Sequence, residues 1–175
     1  MSDSHISTRV IQTVGISTSL ILSGVVTACS VIVVPRLLES PTPLLLRQWD
    51  NMYEQGKRRV GPLAIIPAFS YLYLAYNEHT AAFPALWKVN AYTTAGFLAA
   101  AIGPYTWTVM RPTNAKLKTK AAEASMLNST DEAVEVATLG TETAHKLLDF
   151  WAMLNLGRAA VVASSGVLGV WTALN

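Results

Sequence analysis

Between Val10 and Val34 the chain runs 25 residues without a formal charge and stops at Pro35-Arg36. A bilayer hydrocarbon core about 30 Å thick is crossed by about 20 apolar residues in a helix. Three further stretches share this character. Val60–Tyr76 gives 17 uncharged residues, Val89–Met110 gives 22, and Leu154–Leu174 gives 21 residues broken only by Arg158. The second is short, but Tyr71, Tyr73 and Tyr76 suit the headgroup level at its end. An amphipathic helix of a soluble protein carries a polar stripe, and these segments carry none. The expected fold is all-α: one integral membrane domain over residues 1–175, a four-transmembrane-helix bundle with spans about 10–34, 60–76, 89–110 and 154–174.

Composition narrows the function classes. Apolar residues make up 51% and charged residues 14%, which excludes a disordered chain. A formal charge of +2 without a basic, aromatic-interleaved stripe excludes a nucleic-acid partner. The single cysteine, Cys29, rules out an intramolecular disulfide and a multi-cysteine metal site. The box Val26-Thr27-Ala28-Cys29 resembles a lipid-modification site, but the apolar Val31-Ile32-Val33-Val34 that follows fits a span better than a tether. Only Arg9 precedes the first apolar run, which is also too long for a secretory signal.

Counting Lys and Arg gives an orientation. Segments 35–59 and 111–153 hold five each, whereas the amino-terminal segment and the 77–88 loop hold one each. The positive-inside rule places both long connections in the cytosol and both termini on the far face. That orientation keeps the sequon Asn128-Ser129-Thr130 out of the lumen, and the endoplasmic reticulum is the expected membrane.

In the first connection Leu45, Trp49, Met52 and Tyr53 share one helical face, after a start at Ser40-Pro41 and before Gly56. This short helix either lies in the lipid interface or caps the bundle mouth. The second connection opens on Pro112, a residue suited to a helix's first turn. Its acidic part, Ser125 to Thr143, reads as a solvated loop. Helical spacing returns from Glu142 as an extension before the fourth span.

Several polar residues fall near the cytosolic mouth. His145 and Asp149 are one helical turn apart, so the carboxylate can orient the imidazole as a base, or the two form an ordinary surface pair. Trp151, Asn155 and Arg158 form a second stripe about a third of a turn away. An arginine inside a span faces the bundle interior or snorkels to the surface, and Arg158 is open to both. Arg47 and Asn114 are polar groups near the same mouth that can also bind lipid phosphate or cap a helix. No HExxH, CxxC or facial-triad spacing supports a metal, and no GxGxxG supports a dinucleotide or flavin. No cofactor is expected.

The run Arg47-Gln48-Trp49 with Tyr53 and Gly56, then Pro112-Thr113-Asn114 with Leu117, then Trp151-x-x-Leu154-Asn155-x-x-Arg158, set between four apolar spans, resembles the fungal anthrone oxygenase family. The resemblance extends from about Thr13 to Trp171. It implies a small membrane oxidoreductase, a cofactor-independent monooxygenase of polyketide secondary metabolism that turns an anthrone and dioxygen into the anthraquinone. It carries no settled set of catalytic residues.

An anthrone's C10 methylene is acidic because its conjugate base is an aromatic anthrolate, which can reduce dioxygen directly. The protein then needs a base, donors for the developing oxyanions and an apolar pocket. The expected assignment makes His145 the base, Asp149 its orienter, and Arg158, Asn155 and Asn114 the oxyanion partners. Arg47, Trp49, Tyr53 and Trp151 would bind the flat aromatic substrate, and membrane lipid is the other partner. The alternatives are a non-enzymatic four-helix scaffold or accessory protein and, less well matched, a carrier of lipophilic metabolites. Wide separation of Arg47, Asn114, Asn155 and Arg158 would favour the scaffold.

Overall fold

The computed structural model describes residues 2–126 and 143–175. The acidic connection expected as a solvated loop, with Asn128, lies from 127 to 142 outside the described residues. The described residues are all helical, with no strand. In chain order they form α1 (Ser2–Ala28), a π-helical turn (Cys29–Val33), α2 (Val34–Leu37) and α3 (Thr42–Arg59). A 3₁₀ turn (Gly61–Ala64) leads into α4 (Ile65–His79), followed by α5 (Leu86–Ala100) and α6 (Ile102–Tyr105). A second π turn (Thr106–Met110) joins α7 (Arg111–Met126), and α8 (Ala144–Leu174) closes the chain.

Prolines set the interruptions. A proline lacks the N–H that bonds the carbonyl four residues back, and its ring crowds that carbonyl. Both π turns end two residues before a proline, Val33 before Pro35 and Met110 before Pro112. The wider turns relieve the ladder where those N–H groups are missing. Pro104 removes the bond to the Ala100 carbonyl, where α5 ends. α8 has no proline and runs 31 residues, its start capped by Thr143 Oγ1, which accepts from the Lys146 N–H at 3.3 Å.

Two continuous helical stretches, Ile6–Leu37 and Ala144–Leu174, are long and apolar enough to cross a membrane. The two middle segments fall short of that length because the 3₁₀ turn at Gly61-Pro62 shortens one and the break at Ala101 shortens the other.

α1, α4, α5 and α8 pack together along their lengths. Side-chain hydrogen bonds tie all four: Ser23 Oγ donates to the Ala159 carbonyl (3.0 Å) and Ser165 Oγ to the Ala95 carbonyl (2.8 Å). Ser19 Oγ meets Tyr71 Oη at 2.9 Å, and Gln12 Nε2 donates to Tyr92 Oη at 2.8 Å. Gly169 lets α8 approach closely, since a Cβ there would fall 2.5 Å from Tyr71 Oη. Small residues serve this purpose at helix contacts in membranes.

The core has two parts. One cluster, including Tyr71, Leu74, Tyr92 and Ala95, fills the α4–α5 side. The other joins Leu45, Leu46 and Trp49 of α3 to Leu117 of α7 and Leu148 and Trp151 of α8. The apolar face of α3 is therefore buried against protein at Leu45, Leu46 and Trp49. The helix also continues past Gly56 to Arg59.

Candidate active site

Beside the second of these clusters lies a cavity of about 650 Å³, which Met110 and Trp151 of that cluster border. Ligand sites in proteins commonly measure roughly 300–1,000 Å³. One wall comes from α1 (Leu22, Val26) and the adjoining π turn (Cys29), and another from α3 (Met52, Tyr53, Glu54). The second π turn supplies Thr106, Trp107 and Met110, α7 supplies Asn114 and Lys118, and α8 supplies Trp151, Asn155 and Arg158. Both proline-induced π turns thus border the same cavity.

Arg158 faces the interior instead of snorkelling outward. Its guanidinium donates to Asn155 Oδ1 and to Thr106 Oγ1, the latter at a long 3.4 Å. Its buried Nε has no hydrogen-bond partner among the described residues, and no described carboxylate pairs with it. Even a half-buried cation without a counter-charge is disfavoured. An anion or a strong acceptor arriving in the cavity therefore has a place prepared for it.

Asn155 is fully buried, and its amide is committed to protein. Nδ2 donates to the Val26 carbonyl at 3.0 Å and to Ser30 Oγ at 2.9 Å, while Oδ1 holds the arginine. Its role in the geometry is to fix the Arg158 guanidinium and clamp α8 to α1 at the first π turn. Asn114 differs. Its Oδ1 accepts from Trp151 Nε1 at 2.8 Å, and its Nδ2 donates to no described residue.

An aromatic group adjoins the cavity. Trp49 stacks on Tyr53 with centroids 5.2 Å apart, and meets Trp151 edge-on at 6.2 Å. Tyr53 and Trp151 line the cavity, and Trp49 stands behind them. Beside Tyr53, Lys118 Nζ lies 2.5 Å from Glu54 Oε1 and 2.7 Å from Asp50 Oδ1. The hydrogen bond from Lys118 holds the Glu54 carboxyl below the usual glutamate range, against a partial counter-effect of burial. Burial alone would lower the Lys118 ammonium, but its two carboxylate partners outweigh this and raise it.

Of the residues expected at the site, the structure brings Asn114, Asn155, Arg158, Tyr53 and Trp151 to one cavity, with Trp49 behind it. Arg47 is exposed on the outer face of α3. His145 is half-buried and Asp149 exposed; neither lines the cavity, and no hydrogen bond or ion pair joins them. The helix turns about 100° per residue, so positions six and two residues before Trp151 point well away from the Trp151–Asn155–Arg158 face. Three of the four polar groups whose separation would mark a scaffold therefore converge. Glu54, Lys118 and Thr106 are wall residues the sequence reading did not single out. Pro35 and Pro112 were its available signal for the π turns, whereas nothing local announces the pairing of Glu54 with Lys118 across the chain.

A largely apolar cavity in which the Arg158 guanidinium has no carboxylate partner among the described residues has the character of a small-molecule site in a helical bundle. The family model for anthrone oxygenase matches residues 49–168, which include Trp49, Asn114, Asn155 and Arg158. The chain belongs to the anthrone oxygenase family. It is 32% identical to anthrone oxygenase encC of Aspergillus fumigatus, over 94% of this chain and 92% of that protein. Anthrone oxygenase AgnL2 of Paecilomyces divaricatus is 30% identical, with 93% of this chain and 94% of the relative covered. Monooxygenase hypC of Dothistroma septosporum is 29% identical, over 91% and 80%. No solved structure matches the chain.

Proposed function

We propose that the protein is an anthrone oxygenase of polyketide metabolism, binding a flat anthrone in the 650 Å³ cavity and oxidising it with dioxygen to the anthraquinone. The observation that carries the reading is Arg158, a half-buried guanidinium whose Nε is buried and which has no carboxylate partner among the described residues, on an apolar wall. Loss of a C10 proton places negative charge on the anthrone's C9 oxygen. A cation fixed in advance where charge develops stabilises the transition state without reorganisation. Tyr53 and Trp151 offer faces for the rings, and Asn114 Nδ2 is a second donor. The position of His145 and Asp149 off this wall argues against them as base and orienter.

The anthrolate is electron-rich enough to reduce dioxygen itself, so the chemistry as proposed requires no metal, flavin or haem from the protein. The net change is balanced: the methylene loses two hydrogens and gains one oxygen atom, and the second oxygen atom leaves as water.

The membrane setting belongs to the same reading. Large apolar side chains point outward on the shorter helices too, with Phe69 68% and Phe97 66% exposed. Outward apolar surface of that extent marks contact with lipid or a partner. It supports four spans, the middle two completed by the turns flanking α4 and α5. The basic residues of segments 35–59 and 111–153 support a cytosolic mouth; the endoplasmic reticulum membrane is part of the same proposal.

The test is quinone formation by purified protein in detergent, measured against spontaneous air oxidation of the same anthrone. Arg158→Met is expected to lower kcat by about 10²–10³-fold, the scale of losing one oxyanion donor. Activity abolished by a chelator and restored by a metal ion would refute the cofactor-free chemistry. Wild-type protein no faster than air would refute the reading itself.

A further inference from the structure

Abstraction of a C10 proton needs a base on the cavity wall, and the wall offers few. No histidine lines it, and Glu54 is its one carboxylate among the described residues. We infer that Glu54 is the proton acceptor for the C10 methylene of the bound substrate. This rests on the anthrone reading above.

The cluster around Glu54 has the stoichiometry such a base requires. One ammonium, Lys118, is shared by two carboxylates, Asp50 at 2.7 Å and Glu54 at 2.5 Å. The two acids are four residues apart on α3, on one face of the helix. When Glu54 takes a proton its hold on Lys118 weakens, and Asp50 keeps the ammonium paired. Asp50 does not line the cavity, so the division of labour is set by position: one carboxylate anchors and the other faces substrate.

The substrate's shape supports the pairing of Glu54 with Arg158. C10 and the C9 oxygen lie on opposite edges of an anthrone's central ring, so base and cation have to stand on different walls. Glu54 belongs to the α3–α7 side, beside Tyr53 and Lys118. Arg158 is on α8, about 10 Å further along that helix than Trp151. Lys118 makes Glu54 a weaker base than a free carboxylate, so removal of the C10 proton depends on stabilising the enolate oxygen in place, which the Arg158 guanidinium supplies.

The proton balance closes on this one residue. Glu54 carboxylate removes a C10 proton, and the C–H electron pair enters the ring as the anthrolate. The anthrolate passes an electron to dioxygen, and the two radicals combine to a C10–O–O⁻ peroxide, which the Glu54 acid protonates. The regenerated carboxylate then removes the second C10 hydrogen as the O–O bond breaks. This leaves the quinone carbonyl and a hydroxide, which takes the Glu54 proton and departs as water.

The experiment compares wild type, Glu54→Gln, Glu54→Asp and Lys118→Met as purified full-length proteins, with a synthetic anthrone and its C10-dideuterated form. Glu54→Gln is expected to lose about 10²–10⁴-fold in kcat, Glu54→Asp to recover part of this, and the isotope effect on kcat to grow in Glu54→Asp. Removing Lys118 frees Glu54 from its strongest partner while Lys57 and Arg58 of α3 remain nearby. The acid limb of kcat/KM should then move to higher pH, a shift that a purely structural role for Glu54 does not produce. Wild-type catalysis with Glu54→Gln within two-fold of it overturns the inference and leaves the oxygenase reading standing. Should Glu54→Gln fail to fold, an acid limb unmoved in Lys118→Met overturns it equally. A wild type no faster than air is failure of the underlying reading.

Discussion

Asn155 shows how far one buried side chain can reach in a helical bundle. With no exposed surface, it spends both N–H groups on the Val26 carbonyl and Ser30 Oγ and its oxygen on Arg158. Asn155→Leu keeps the volume but leaves an unsatisfied carbonyl and a loose guanidinium. A stability loss of about 1–3 kcal/mol is expected from the orphaned groups, measured by thermal denaturation in detergent. The kcat should fall with it, because the arginine is no longer held. Asn155→Asp offers the contrast: a carboxylate beside Arg158 would neutralise the cation, so activity should fall even where the fold survives. The identity of these residues was legible in the sequence as the stripe Trp151–Asn155–Arg158. Their division into holder and held was not, because it depends on α1, whose partner residues lie more than 120 positions away.

At the scale of elements, the two π turns are the features that make a cavity in an otherwise close-packed bundle. Each inserts extra width into a helix one turn before a proline, and each contributes wall residues. Pro112→Ala restores the missing N–H and with it a regular α-helical ladder through Thr106–Met110. Reverting a π turn rotates the following side chains by about 100° per residue removed. The expected outcome is helicity and melting temperature near wild type with kcat/KM reduced at least tenfold, read by circular dichroism and the quinone assay. A drop in stability with activity unchanged would show that the turn serves packing alone. The short helix after the first span illustrates the opposite case. Its apolar face at Leu45, Trp49 and Met52 was plain in the spacing, yet spacing has no way to tell burial in lipid from burial against α7 and α8. The packing of Leu45 and Trp49 into the core decides it.

Across the whole molecule, α3 and α7 are joined at the cavity mouth by the Lys118 cluster. Glu54 has its pKa depressed in the fold, so the stabilisation it gives is full above the ordinary value of 4.5 and is lost as pH falls through the lower, folded value. Lys118 has its pKa raised, so its share is full below the ordinary value of 10.5 and is lost as pH rises through the higher, folded value. The tie between α3 and α7 therefore holds across neutral pH and loosens at both extremes. Fluorescence of Trp49, Trp151 and Trp107 in detergent should be steady across neutral pH and change reversibly outside that window, and the acid change should disappear in Lys118→Met. A transition centred near neutrality would contradict the assignment.

Sequence alone determined the helical class, through long uncharged apolar runs, and picked out the polar residues Asn114, Asn155 and Arg158. These are legible because hydrophobic length and charge placement are local properties, read one segment at a time. Tertiary structure decided which polar residues share a cavity. His145 and Asp149 are one turn from each other and near the mouth, but the rotation of α8 turns them off the wall that carries Arg158. Glu54, unremarkable as one charge in a basic segment, reaches the same cavity from another side because α3 packs against α7. Helical phase sets which way a side chain points, and only packing between distant segments sets what it points at.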